Sequence, residues 1–162
     1  MKRPKVPADP TTAYARAVVA GEIVAGRPVR LACARHLRDL DRRQELGLRW
    51  RVDLAARALA FFENVLTLPD GRPFVLQPWQ QFIVGSIFGW LSADGTRRFR
   101  TAYVESSKGS GKTPVAAGIG LFGLVADGEA SAEIYSAATM SDQAKVAWLD
   151  ARGMVERSPE LS

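Results

Sequence analysis

The stretch from Phe99 to Ala126 restricts the fold more than any other part of the sequence. Phe99 to Glu105 alternates with the period of two that a β-strand imposes, and Lys112 to Ala126 is almost wholly apolar with helical spacing. Between them lies Ser106-Ser107-Lys108-Gly109-Ser110-Gly111. A strand that turns through a glycine-bearing loop into a buried helix specifies the opening of an α/β sheet. The same order has a chemical reading. In Gly109-Ser110-Gly111-Lys112-Thr113 the glycines let backbone N–H groups turn inward around phosphate oxygens, where a Cβ would clash or φ must be positive. Lys112 would set its ammonium against the β- and γ-phosphates, and the Thr113 hydroxyl would take Mg2+. The helix that follows would point its positive dipole end at the same anion. ATP and Mg2+ are therefore the expected ligands, with Gly109, Ser110, Gly111, Lys112 and Thr113 as the candidate site. The strict pattern asks for glycine at position 106, where this chain has Ser106. The competing reading, a glycine turn beside an unrelated surface lysine, does not account for the strand before and the helix after.

Downstream, Asp127-Gly128 closes the apolar helix, Ala132 to Ala137 reads as a second strand, and Ser141 opens a last helix with Ala144, Trp148, Ala151 and Val155 on one face. Strand, loop, helix, strand, helix is how a doubly wound parallel sheet begins. Upstream the chain reads as helical. The first ten residues, with three prolines, suggest an extended arm; Thr11 or Thr12 would cap a helix reaching Ala25. A second helix would run from Pro28 to about Glu45 on Val29, Cys33, Leu37 and Leu40, and a third from Val52 to Leu66 on Leu54, Ala58, Phe61, Phe62 and Val65. After the turn at Leu68-Pro69-Asp70-Gly71, a fourth would start at Pro78 with Trp79, Phe82, Ile83, Ile87 and Trp90. The expected fold class is α/β: a helical lead-in over 1–70, then at 71–162 the incomplete start of a P-loop doubly wound sheet.

Charge narrows the partners. The chain has 22 Lys+Arg against 17 Asp+Glu, a formal net charge of +5, which favours a polyanion. Arg30, Arg35, Arg38, Arg42 and Arg43, tempered by Asp39 and Asp41, crowd the second helix. That face would either touch DNA or stand solvated with local ion pairs. Cys33 is the one cysteine, which excludes an internal disulfide and a cysteine-rich zinc site. His36, the one histidine, lies three residues on. The two are too few to hold a metal alone, and a buried thiol beside a surface imidazole is the expectation. No apolar run spans a bilayer and no signal-peptide core follows the basic MKRPKVPADP, so the expectation is a cytoplasmic protein without a membrane partner.

A second element concerns the base of the nucleotide. Gln80, in Leu76-Gln77-Pro78-Trp79-Gln80-Gln81, is placed at a helix start where its amide would offer adenine both a donor and an acceptor. Ordinary helix capping explains the same residue. Hydrolysis further needs an acidic residue at the end of another strand to hold Mg2+, and a group to orient water. Asp127, the nearest match, follows the helix that leaves the loop and would sit at its far end from the phosphates.

Several segments together resemble the large subunit of tailed-phage terminases. They are Pro7-Ala8-Asp9-Pro10 with Ala13-Tyr14-Ala15, Cys33 to Leu40, Phe74 to Gln80, Phe99 to Glu105, the glycine loop, and Ala137-Ala138-Thr139 with Asp142-Gln143-Ala144. The resemblance implies an ATP-driven motor that threads double-stranded DNA into a procapsid, with a C-terminal endonuclease in the full-length protein. It implies a homo-oligomeric ring on the portal and a small terminase subunit as partner. It also implies P-loop roles for Lys112 and Thr113, the adenine-facing role for Gln80, and a triggering role at Lys108, where relatives usually carry arginine. Lys108 keeps the charge but lacks arginine's planar fork. The Mg2+-binding strand and the nuclease half have no counterpart here, so the expectation is a truncated ATPase portion that binds nucleotide at most. Two other readings stay open. One is a different P-loop enzyme, helicase-like or a small nucleotide kinase; the other is a non-catalytic remnant that binds DNA or a partner through its basic helices.

Overall fold

The computed structural model describes residues 9–162, so most of the arm expected for the first ten residues lies outside the described part. Among the described residues are six helices and one two-stranded sheet: α1 Pro10–Val19, α2 Arg27–Asp41, β1 Arg49–Trp50, α3 Val52–Val65, α4 Pro78–Gly89, β2 Trp90–Leu91, α5 Lys112–Val125 and α6 Ser141–Arg157. This is mixed α/β content. The chain forms two compact units, one from 1–59 with 76–102 and the other from 60–75 with 103–162, so α3 supplies residues to both.

In the first unit, α1 is capped by Asp9 and not by Thr11 or Thr12. The Asp9 carboxylate accepts the Thr12 N–H at 3.0 Å and the Thr12 hydroxyl at 2.6 Å. Pro10 occupies the first helical position, where no N–H is needed. Thr11 is instead fully buried. It lies so close to α4 that a Cβ on Gly85 would come within 1.9 Å of its hydroxyl. Gly85 is what lets the two helices touch. Helix α1 ends at Val19, short of the expected Ala25, because Gly21 takes a left-handed φ of +81° that breaks the helical run. Helix α2 likewise stops at Asp41, before a turn in which Leu48 N–H reaches Arg43 O at 2.7 Å. Tyr14, Ala15, Val18, Cys33 and Phe82 form the core, with Leu37 and Trp79 against it. Strands β1 and β2 pair antiparallel, with Trp50 opposite Trp90.

The second unit packs α5 and α6 with the end of α3. Phe61, Phe62, Leu66, Phe74, Val115, Ala117, Leu121, Phe122 and Met154 are buried. Gly118 sits under Phe62, where an added Cβ would lie 2.3 Å from the ring. Arg157 closes the unit by donating to Thr67 O at 3.3 Å.

The strands expected at 99–105 and 132–137 are not strands in the structure. Their period of two is visible: Tyr103 donates to Glu105 at 3.2 Å and Tyr135 to Glu133 at 2.7 Å, side chains two apart on one side of an extended backbone. What they lack is a ladder. No backbone group of 99–105 or 133–138 bonds to the backbone of another described residue. Alternation makes a segment able to join a sheet, and pairing makes it a strand. No helix of the described residues is long and apolar enough to cross a membrane.

Candidate functional site

The glycine loop has the backbone its sequence calls for. Gly109 and Gly111 both adopt left-handed φ, +81° and +84°. A Cβ on Gly109 would meet nothing within 4 Å, so conformation alone demands glycine there. Gly111 serves as N-cap of α5 and has no side chain to offer the helix start. The first bond of the helix is Val115 N–H to Gly111 O at 3.2 Å, and Pro114 has no N–H. The N–H groups of Lys108, Gly109, Gly111, Lys112 and Thr113 therefore meet no backbone acceptor among the described residues. Ser110 N–H makes one long contact, to Ser107 O at 3.4 Å. Five unpaired donors lie at or just before a helix N-terminus, whose partial positive charge favours an anion.

The side chains are arranged to match. Lys112 folds its ammonium back onto the loop, donating to the carbonyl oxygens of Ser106 and of Ser107, the latter at 2.9 Å. Ser106 donates its hydroxyl to Ser110 Oγ at 2.6 Å. Thr113, in the first turn of α5, is half-buried. Lys108 is exposed. Gly109, Ser110 and Gly111 thus lie in the loop, and Lys112 and Thr113 open α5.

Gln80 belongs to the other unit and is buried at the start of α4. Its Oε1 accepts the Gln77 N–H at 2.8 Å, the reciprocal half of a capping box. That bond uses one of the two lone pairs of the amide oxygen.

Helix α2 has two faces of different chemistry. Arg27, Arg30, Arg35, Arg38 and Arg42 are exposed, and the helical period sets them opposite the buried Cys33, His36 and Asp39. Arg42 is paired with Glu45 at 2.7 Å and Arg38 with Asp39 at 3.0 Å. The imidazole expected at the surface is buried: His36 is 3% exposed. Trp90 Nε1–H donates to His36 Nδ1 at 2.9 Å, and His36 Nε2 meets the Thr12 hydroxyl at 2.9 Å. Trp50 Nε1–H adds a bond to Asp9 Oδ2 at 2.9 Å. Nδ1 accepts, so the neutral ring carries its proton on Nε2 and donates to Thr12, which donates to Asp9. Both ring nitrogens are used, which leaves no lone pair for a metal beside Cys33. Burial pushes the His36 pKa down to about 4, with Arg35 and Arg98 acting the same way against Asp9 and Asp39. Burial also raises the Cys33 thiol to about 11, which keeps it protonated and inert. Asp39 is held ionised: burial opposes its charge, but hydrogen bonds from Arg98 and Arg38 outweigh that and lower its pKa. Arg98 reaches its Oδ2 at 2.6 Å. The spacing of residues 33, 36 and 39 signals this inner polar face, and it is missed when His36 is taken as a loose surface ring.

A glycine-turned loop of idle N–H groups ahead of an apolar helix is the arrangement of nucleotide-binding loops as a class. The sequence model for the terminase large subunit, ATPase domain, matches residues 78–162, just over half of the chain. The chain belongs to that family. Neither curated proteins nor solved structures gave a match.

Proposed function

We propose that this chain binds ATP with Mg2+ at residues 106–113, as part of the motor that moves double-stranded DNA into a procapsid. One observation carries the reading: two left-handed glycines leave five backbone N–H groups without acceptors at the uncapped start of α5, beside the Lys112 ammonium. These donors fit a triphosphate tail. Lys112 would exchange the loop carbonyls for phosphate oxygens, and the Thr113 hydroxyl would ligate Mg2+. Lys108 would add charge at the loop tip without the bidentate grip of arginine. Gln80 would take the adenine-facing role with its amide. The parallel sheet of such motors would take 99–105 and 132–137 as strands. Portal, small subunit and ring neighbours are the partners that family membership suggests.

Equilibrium binding of a fluorescent ATP analogue with Mg2+ tests the site: Lys112→Ala is expected to weaken it at least tenfold, the scale of one lost charge-assisted contact. Unchanged affinity would remove the reading.

A second reading, DNA contact through the outer face of α2, is favoured by charge. The first unit carries 16 Lys+Arg against 7 Asp+Glu, and the second carries 6 against 10. Duplex binding should fall steeply with salt, survive Lys112→Ala, and flatten when Arg38, Arg42 and Arg43 are all changed to glutamine.

A further inference from the structure

The strict loop pattern puts glycine where this chain has Ser106, and the structure shows what the serine does instead. Ser106 has no positive φ, since Ser131 alone among the described non-glycine residues does. A side chain at 106 therefore costs the backbone nothing. It holds the loop at two points. Its carbonyl accepts from the Lys112 ammonium, and its hydroxyl donates to Ser110 Oγ at 2.6 Å. Both contacts join the entry of the loop to its far side, four and six residues on. Between them lie Ser107, Lys108 and Gly109, of which Lys108 and Gly109 carry idle N–H groups.

We propose that Ser106 and Ser110 are positioning residues: their hydroxyl bridge sets the loop in its phosphate-ready width before any nucleotide arrives. Lys112 can leave the Ser106 carbonyl for a phosphate while the bridge keeps the turn in place. The bridge lowers the ordering cost that a flexible glycine at 106 would add to binding. This rests on the nucleotide-binding reading above.

Two measurements on the intact chain test it separately. The first is affinity for the fluorescent ATP analogue with Mg2+, for Ser106→Ala, Ser110→Ala, the double variant, Ser106→Gly and Ser106→Thr. The bridge predicts a loss of about fivefold in each single alanine variant, the worth of one ordinary hydrogen bond. It predicts that the double variant is no weaker than either, that Ser106→Gly is weaker than wild type, and that Ser106→Thr is close to it. The second is the backbone amide order parameters of residues 106–113 from NMR relaxation without nucleotide. They should fall in the alanine variants there and nowhere else, which excludes general unfolding. Losses that multiply in the double variant, wild-type affinity in Ser106→Gly, or unchanged order parameters would each overturn the bridge. If wild type binds no nucleotide, the function proposed above fails, and the order parameters alone still decide whether the bridge orders the loop.

Discussion

The two units treat their polar groups in opposite ways. In the first, Asp9, Thr12, His36 and Asp39 lie inside or at the edge of the core, each hydrogen-bonded, with Trp50 and Trp90 contributing their ring N–H groups. In the second, the interior is almost wholly apolar, built on phenylalanines around α5, and the polar backbone of 103–105, 107–113 and 133–138 is left largely without partners. A buried network that leaves Ser86 Oγ and one Arg98 nitrogen without a hydrogen bond is sensitive to any proton added. An apolar core with idle loops above it is stiff below and receptive on top.

Acid should separate the units most strongly. The folded pKa of His36, about 4, lies below the ordinary 6.5, so the folded state holds the neutral ring and the unfolded state binds the proton first. Stability is complete above pH 6.5 and is lost as pH falls toward 4, by about 3 kcal/mol in total. Denaturant unfolding at a series of pH values, followed by tryptophan fluorescence in a Trp148→Phe background so that Trp50, Trp79 and Trp90 report, would show it. The same series on His36→Gln should be flat. A wild-type curve equally flat would break the comparison. Next in size, Gly118→Ala drives a methyl into Phe62 and should cost about 2 kcal/mol in the second unit, as overpacking does. Trp148 fluorescence would read it, and the acid dependence should not change. Trp90→Phe keeps an aromatic group but removes the donor to His36 and trims the buried indole, at about 1–2 kcal/mol, with the midpoint again measured by denaturant. Smallest of all, Arg42→Gln breaks the exposed pair with Glu45 and should leave every midpoint where it is, since such pairs are screened by water and salt.

Much of this was legible in the sequence, and the gaps have physical causes. Local chemistry was readable: the helix starts at Pro78, Lys112 and Ser141 follow from proline, glycine and apolar spacing, and the left-handed glycines at 109 and 111 from the loop pattern. Anything set by a distant partner was not. Thr11 reads as a cap, yet Gly85, 74 residues away in sequence, makes room to bury it. His36 reads as a surface ring because nothing near it in sequence announces Trp90 or Thr12. The alternation at 99–105 reads as a strand because the pattern records a capacity to pair and says nothing of whether a neighbour is present. In the candidate site the glycine conformations were legible one by one, while the Ser106–Ser110 bond was not, since a mismatch to a motif looks like a loss until the hydroxyl is seen to be used.

The two ribbons carrying Tyr103 and Tyr135 have a practical consequence. Each offers a row of unspent amides and carbonyls beside apolar side chains, and Tyr103 and Tyr135 are 86% and 83% exposed. Such rows are templates, and any other extended peptide can zip onto them, including the same ribbon on a neighbouring molecule. Concentrated solutions of this chain should therefore cluster through its acidic half, and a charged residue set into either ribbon should keep them clear.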